Sequence, residues 1–98
     1  MGRKEEYMEK LNSQLRSWGA RIDEFTERAE FEALEHKTKL KREIADFRIK
    51  RLDAQLKLQQ LKETTGDAWE KLEAGVDRAW EDMKASVHRI SEKFKQPR

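Results

Sequence analysis

Any chemistry in this chain has to start from two imidazoles, His36 and His88, because the sequence contains no cysteine. His36 stands in "EALEHK", with Glu32 four residues before it and Glu35 adjacent. Carboxylate–histidine metal sites in helical bundles need Glu and His three residues apart on inward faces, repeated on partner helices. A spacing of four, and a neighbour on a different face, do not meet that requirement. His36 is read instead as an imidazole at a seam position of a helix. If it met its symmetry mate in a dimer, protonation at acid pH would loosen the seam. No glycine-rich phosphate loop and no nucleophile motif is present. The expectation is therefore no catalytic, cofactor-binding or metal-binding residues, no cofactor, and no enzymatic activity.

The second group of interest is the basic run "HKTKLKREIADFRIKR". Lys37, Lys39, Lys41, Arg42, Arg48, Lys50 and Arg51 could face phosphates if the run bound nucleic acid. The same side chains serve equally as a solvated face that complements acidic residues elsewhere. Glu43 and Asp46 interrupt the run, and no DNA- or RNA-binding motif accompanies it, so nucleic acid is not favoured as a partner. Across the whole chain 22 basic residues nearly balance 20 acidic ones, and no global field recruits a polyanion.

These residues must be carried by helices. Charged residues make up 43% of the 98, with four glycines and one proline, Pro97, which is too little punctuation for hairpins or short strands. Three Trp, four Phe and a regular period argue against disorder. One domain covering residues 1–98 fits this length, with a core small enough that self-association could supply further burial. The opening "MGRKEEYMEKLNSQ" lacks an apolar signal core, no apolar run reaches membrane-spanning length, and Glu6 stands where a myristoylation motif on Gly2 wants Ser or Thr. A cytoplasmic location is expected.

Apolar positions at Met8, Leu11, Leu15, Trp18, Ile22, Phe25 and Ala29 alternate steps of three and four, the seam of a coiled coil. The seam continues through Ala33, His36, Leu40, Ile44, Phe47, Ala54, Leu58 and Leu61 with two extra four-residue steps, stutters that unwind a supercoil without ending a helix. With no glycine or proline between Ala20 and Lys62, the simplest reading is one long helix over 3–63, about 90 Å long. Its middle carries a second stripe, Ala45, Ile49, Leu52 and Leu56, almost opposite Phe47, Leu58 and Leu61. A helix with two opposed apolar faces needs two partners.

One partner lies downstream. Gly66 can take the left-handed conformation that ends a helix, and Asp67 with Glu70 three residues on resembles a capping box. A turn at 64–67 would lead into a C-terminal helix over 67–94 and a tail at 95–98. That helix presents Trp69, Leu72, Val76, Trp80, Met83, Val87, Ile90 and Phe94 on one face. The eleven-residue interval from Trp69 to Trp80 is almost three turns, which keeps both on that face. Folded back as an antiparallel hairpin, Val76, Trp80, Met83 and Val87 would meet Leu56, Leu52, Ile49 and Ala45. Glu81 would approach Arg51, Asp82 would approach Lys50, and Glu92 would approach Lys39 or Lys41.

The expected fold class is therefore all-α, a long helix with a shorter helix folded back as a hairpin coiled coil. The seam of Leu11, Leu15, Trp18, Ile22, Phe25, Leu40, Phe47 and Leu58 would be left for self-association, a dimer being favoured. The alternative is a break near "AEFEALEHK" that folds the N-terminal third into a three-helix bundle. Phe31 to Thr38 carry no turn signal, so this ranks second. A protein partner or a membrane surface could also cover an apolar face. The last helix is amphipathic, but Glu70, Glu73, Asp77, Glu81 and Asp82 on its polar face are unlike the cationic face of interfacial helices.

In "YMEKLNSQLRSW", "RLDAQLKLQQLKE" and "GDAWEKLEAGVDRAWEDM" the sequence resembles a family of small bacterial coiled-coil proteins of about this length, some described as stress-response proteins. The resemblance covers most of the chain, though "EFEALEHKTKLKREIADF" shares only the character of charged helix. It implies a non-catalytic interaction or structural role, associated with stress, and supplies no catalytic residues. A peripheral membrane or lipid-binding helix protein is the alternative function.

Overall fold

The apolar period that begins at Met8 does form a helix, but the helix stops at Ala29. In the computed structural model, which describes residues 3–95, the chain forms α1 (Arg3–Ala29), α2 (Leu34–Lys62) and α3 (Asp67–Lys95). The fold is all-α, and the three-helix arrangement replaces the single long helix expected over 3–63. Gly2 and positions 96–98 of the expected tail lie outside the described residues, and Lys95 closes α3.

The break at 30–33 contains no glycine or proline. Glu30, Phe31 and Glu32 donate their N–H groups to the carbonyls of Glu27, Arg28 and Ala29, a tightening of the last turn of α1. Ala33 then turns extended, with φ −59° and ψ 149°, and its carbonyl accepts the first bond of α2 from Lys37 N–H at 2.8 Å. No side chain caps α2 at Ala33. What holds the corner is tertiary. The Glu30 carboxylate accepts from Lys37 Nζ at 2.8 Å and Lys41 Nζ at 2.9 Å. Where the seam crosses this region it runs Ala29, Ala33, His36, its weakest stretch, so extending the helix offers little burial there.

Folding back at this corner lets three faces close one core. Leu11, Leu15, Ile22, Phe25 and Ala29 of α1 meet Leu40, Ile44, Phe47, Ala54, Leu58 and Leu61 of α2 and Val76, Trp80, Met83, Val87 and Ile90 of α3. Each large side chain buried is worth about 1.5–3 kcal/mol, far more than helix propensity at the corner. Trp80 is buried with its indole N–H directed at the Leu11 carbonyl, 3.3 Å away. Phe94 stacks on Phe25 at 5.0 Å between centroids, under the Arg28 guanidinium.

The other corner behaves as a glycine turn with one difference. Gly66 has φ 69°, the left-handed region, yet it stands at the start of α3 rather than ending α2. Its carbonyl accepts from Trp69 N–H at 3.1 Å, so Asp67 is the first helical residue rather than the cap. Lys4 of α1 reaches this corner, donating to the Thr64 carbonyl at 2.9 Å and lying over the Trp69 ring.

Candidate functional site

The core decides which surfaces remain for function. Leu11, Leu15, Ile22, Phe25, Leu40, Phe47 and Leu58 are buried within the chain, and Trp18 is half-buried against them. The seam expected to stand open for self-association is instead covered in cis by the folding-back of α1. On α3, Val76, Trp80 and Met83 are buried, while Trp69 and Leu72 pack half-buried at the edge. They pack into the seam side of α2, not onto Ile49, Leu52 and Leu56.

Those three residues stand outside the core. Ile49 is 68% exposed, Leu52 63% and Leu56 65%, and Ala45 is exposed one turn earlier. The periodicity assigns this stripe to α3. It faces solvent instead, because α1 and α3 both cover the wider face of α2, where Leu40, Ile44, Phe47, Ala54, Leu58 and Leu61 already form one core. Leu34, at the head of α2, stands eighteen residues before Leu52, five whole turns on the same line, and is 79% exposed. Scattered apolar side chains are normal on a surface. Three large ones in coiled-coil spacing on one rigid helix form a contiguous patch of the kind that marks an interaction site.

The charges flanking the stripe are sorted by sign. Lys41 and Arg48 lie along one edge, and Asp46 and Asp53 along the other. Asp46 pairs with Lys50 at 3.0 Å and Asp53 with Lys57 at 2.5 Å, each one turn on. Arg48 reaches the Thr26 hydroxyl, at 3.3 Å. The ion pairs expected from the hairpin are replaced. The Arg51 guanidinium lies against Gly19 of α1, Lys50 stays on its own helix, and Glu92 faces His88 at 3.9 Å. An ion pair that does link α2 to α3 is Arg89 to Glu43, 3.6 Å apart.

The residues first considered for chemistry are dispersed. His36 Nδ1 is 2.7 Å from Glu32 Oε1, a local contact across the α1–α2 corner, and His88 is exposed on α3. Among the described residues no group of three or more His, Asp or Glu could hold a metal ion. Of the basic run, Lys37 and Lys41 are engaged by Glu30, so the cations do not converge on one phosphate-sized site. Among the described helices none is long and apolar enough to cross a membrane.

Two further features have no signal in the sequence. Tyr7 O–H donates to Asp77 Oδ1 and its ring meets Trp69 edge-on at 6.1 Å, which ties α1 to α3. Burial, then the hydrogen bond to Asp77 and the charges of Asp77 and Glu73, push the Tyr7 phenol well above its ordinary range. An open groove of about 810 Å³ between α1 and α3 has Trp18 and Trp80 in its wall and Lys10, Arg21, Lys84 and Lys95 among its lining. No buried polar group converges in it to orient a ligand.

Comparison of the chain with protein-family models, with curated proteins and with solved structures returned no match.

Proposed function

We propose that this protein is a non-catalytic helical interaction protein whose working surface is the outer face of α2. The observation that carries the reading is the stripe Ala45, Ile49, Leu52 and Leu56, left outside a core that is already closed. An apolar line at heptad spacing, edged by ordered charges, suits a partner helix laid along it. The apolar face of α3, which a lipid-binding role would use, is occupied by the core, so lipid binding would require the bundle to open. A stress-associated role draws its support from the resemblance around the two tryptophans.

The test is photo-crosslinking in the cells that make the protein, from a photoreactive residue placed at Gln59 on the rim of the stripe. Protein adducts are expected, and they should vanish in an Ile49→Glu/Leu56→Glu background. The background variant should keep its fold, changing stability by less than about 1 kcal/mol at chain concentrations too low for association to contribute. No adducts, or a destabilisation of about 3 kcal/mol or more, would show that the stripe serves the fold and not a partner.

A further inference from the structure

We propose that the occupant of the outer face of α2 is the same face of a second copy, aligned parallel to the first. This rests on the outer face being a docking surface, and it adds the identity and direction of what docks.

Two independent features of the stripe point to a parallel pair. The first is the order of residue types. The steps Ala45 to Ile49, Ile49 to Leu52 and Leu52 to Leu56 are four, three and four, which sets Ile49 and Leu56 at the a positions of a heptad and Ala45 and Leu52 at d. Ile49 at a followed by Leu52 at d is the combination that favours two parallel strands, and Ala45 at d and Leu56 at a extend the apolar line without adding to that preference. The second is the order of charges. The g positions preceding Ile49 and Leu56 are Arg48 and the uncharged Gln55, with Lys41 at g one heptad earlier, and the e positions following each d are Asp46 and Asp53.

In a parallel pair each g residue faces the e residue five positions later on the partner. Arg48 then faces the second copy's Asp53, a contact repeated by symmetry, while Lys41 and the second copy's Asp46, which also face each other, are already engaged within their own chains by Glu30 and Lys50. In an antiparallel pair g faces g and e faces e. That alignment would set aspartates against aspartates along one edge and place basic residues together along the other. The complementarity exists only in the parallel alignment.

The free chain is prepared for this. Arg48 is exposed, and among the described residues its contact is the long one to the Thr26 hydroxyl, with no carboxylate bonded to it. Asp53 is exposed and uses a single oxygen, Oδ2, on Lys57. The core face of α2 lies on the side away from the stripe, while α1 borders the stripe's g edge at Arg48 and α3 borders its e edge at Asp53, so a copy has to enter along the line of Ile49, Leu52 and Leu56. Arg42 at the preceding a position and Gln59 at the following d position bound the apolar segment and disfavour a slipped register.

Arg48 and Asp53 are five residues apart, a spacing at which two side chains of one helix do not meet. A charge exchange between them therefore reads contacts between copies. The experiment is sedimentation equilibrium of the full chain from about 5 to 200 μM, a range that spans weak and moderate self-association. It uses wild type, Arg48→Glu, Asp53→Arg and an equimolar mixture of the two variants, each checked by circular dichroism for intact helicity.

Wild type should move from 11.7 kDa to twice that mass as concentration rises. Each single variant should dissociate about tenfold more readily, because it places like charges across the seam. The mixture should associate at least as well as wild type. In a mixed pair the glutamate introduced into one chain faces the arginine introduced into the other, while the retained Arg48 faces the retained Asp53. A mixture no better than either variant alone overturns the parallel alignment, and so do single variants that associate like wild type with a mixture that exceeds it, because that pattern belongs to g–g and e–e contacts. A folded wild type that stays at monomer mass throughout, including one that instead sediments with phosphatidylglycerol vesicles, overturns the second copy as occupant. If crosslinks from Gln59 persist in cells in that case, the docking surface stands and only its occupant is wrong.

Discussion

Ser86 shows at the scale of one residue how little slack this core has. It is fully buried in α3, and its hydroxyl has no hydrogen-bond partner. Position 86 lies three residues after Met83 and four before Ile90, on the buried face by spacing, and only its polar residue type hides that in the sequence. A buried hydroxyl that has lost water and gained no partner is a net cost, and alanine has the same approximate size and the higher helix propensity. Ser86→Ala should therefore stabilise the chain by about 1 kcal/mol in urea unfolding. A loss of stability would mean that the hydroxyl has a partner, such as a carbonyl of its own helix. The tryptophans show the opposite case. Their eleven-residue interval announces a common face, and Trp80 is indeed buried at the centre with its N–H on the Leu11 carbonyl.

At the scale of the element, the two corners differ in how they are written. Gly66 is visible because its left-handed φ is one that other residues resist. The corner at 30–33 has no such residue, and its closure depends on contacts distant in the fold and on Glu30 gripping Lys37 and Lys41. The hydrogen bonds to Lys37 and then Lys41 lower the Glu30 carboxyl from its ordinary 4.5 to about 2. A depressed pKa means that the contact supports the folded state fully above about pH 4.5 and is lost as pH falls towards 2. Carboxyl-resolved NMR titration should place Glu30 well below the other glutamates, and Lys37→Gln/Lys41→Gln should return it towards 4.5. An unchanged midpoint in that variant would show that the lysines do not hold the corner. The warning in the sequence is indirect: Ala29, Ala33 and His36 thin the seam, while Phe31 and Leu34 place large apolar groups off it. A period of three and four does not say which helices share a face, so a seam that closes within one chain and a seam that joins two chains look alike.

For the whole molecule, the same limitation explains both what was legible and what was not. The helical class and the membership of the two stripes on α2 follow from periodicity, and the turn before α3 follows from Gly66. The assignment of partners to those stripes does not, because it depends on whether α1 returns to the bundle. Once it does, the broad stripe becomes the core and the narrow stripe of Ile49, Leu52 and Leu56 becomes the outside. The surface available for function is thus the complement of the one expected. Everything proposed about docking depends on this closure within one chain.

That closure can be measured directly, because a chain without cysteine accepts two labels at chosen sites. Asn12 of α1 and Gln59 of α2 line the same shallow groove. In one continuous helix the roughly 47 residues between them would span about 70 Å. Spin labels on Asn12→Cys/Gln59→Cys, diluted with excess unlabelled wild type so that only distances within one chain are read, should lie within about 20 Å, two helix diameters, of each other. A distribution centred near 70 Å would contradict the bundle, return Leu11 to Leu58 to the role of an open seam, and remove the basis for the outer face of α2 as the docking surface.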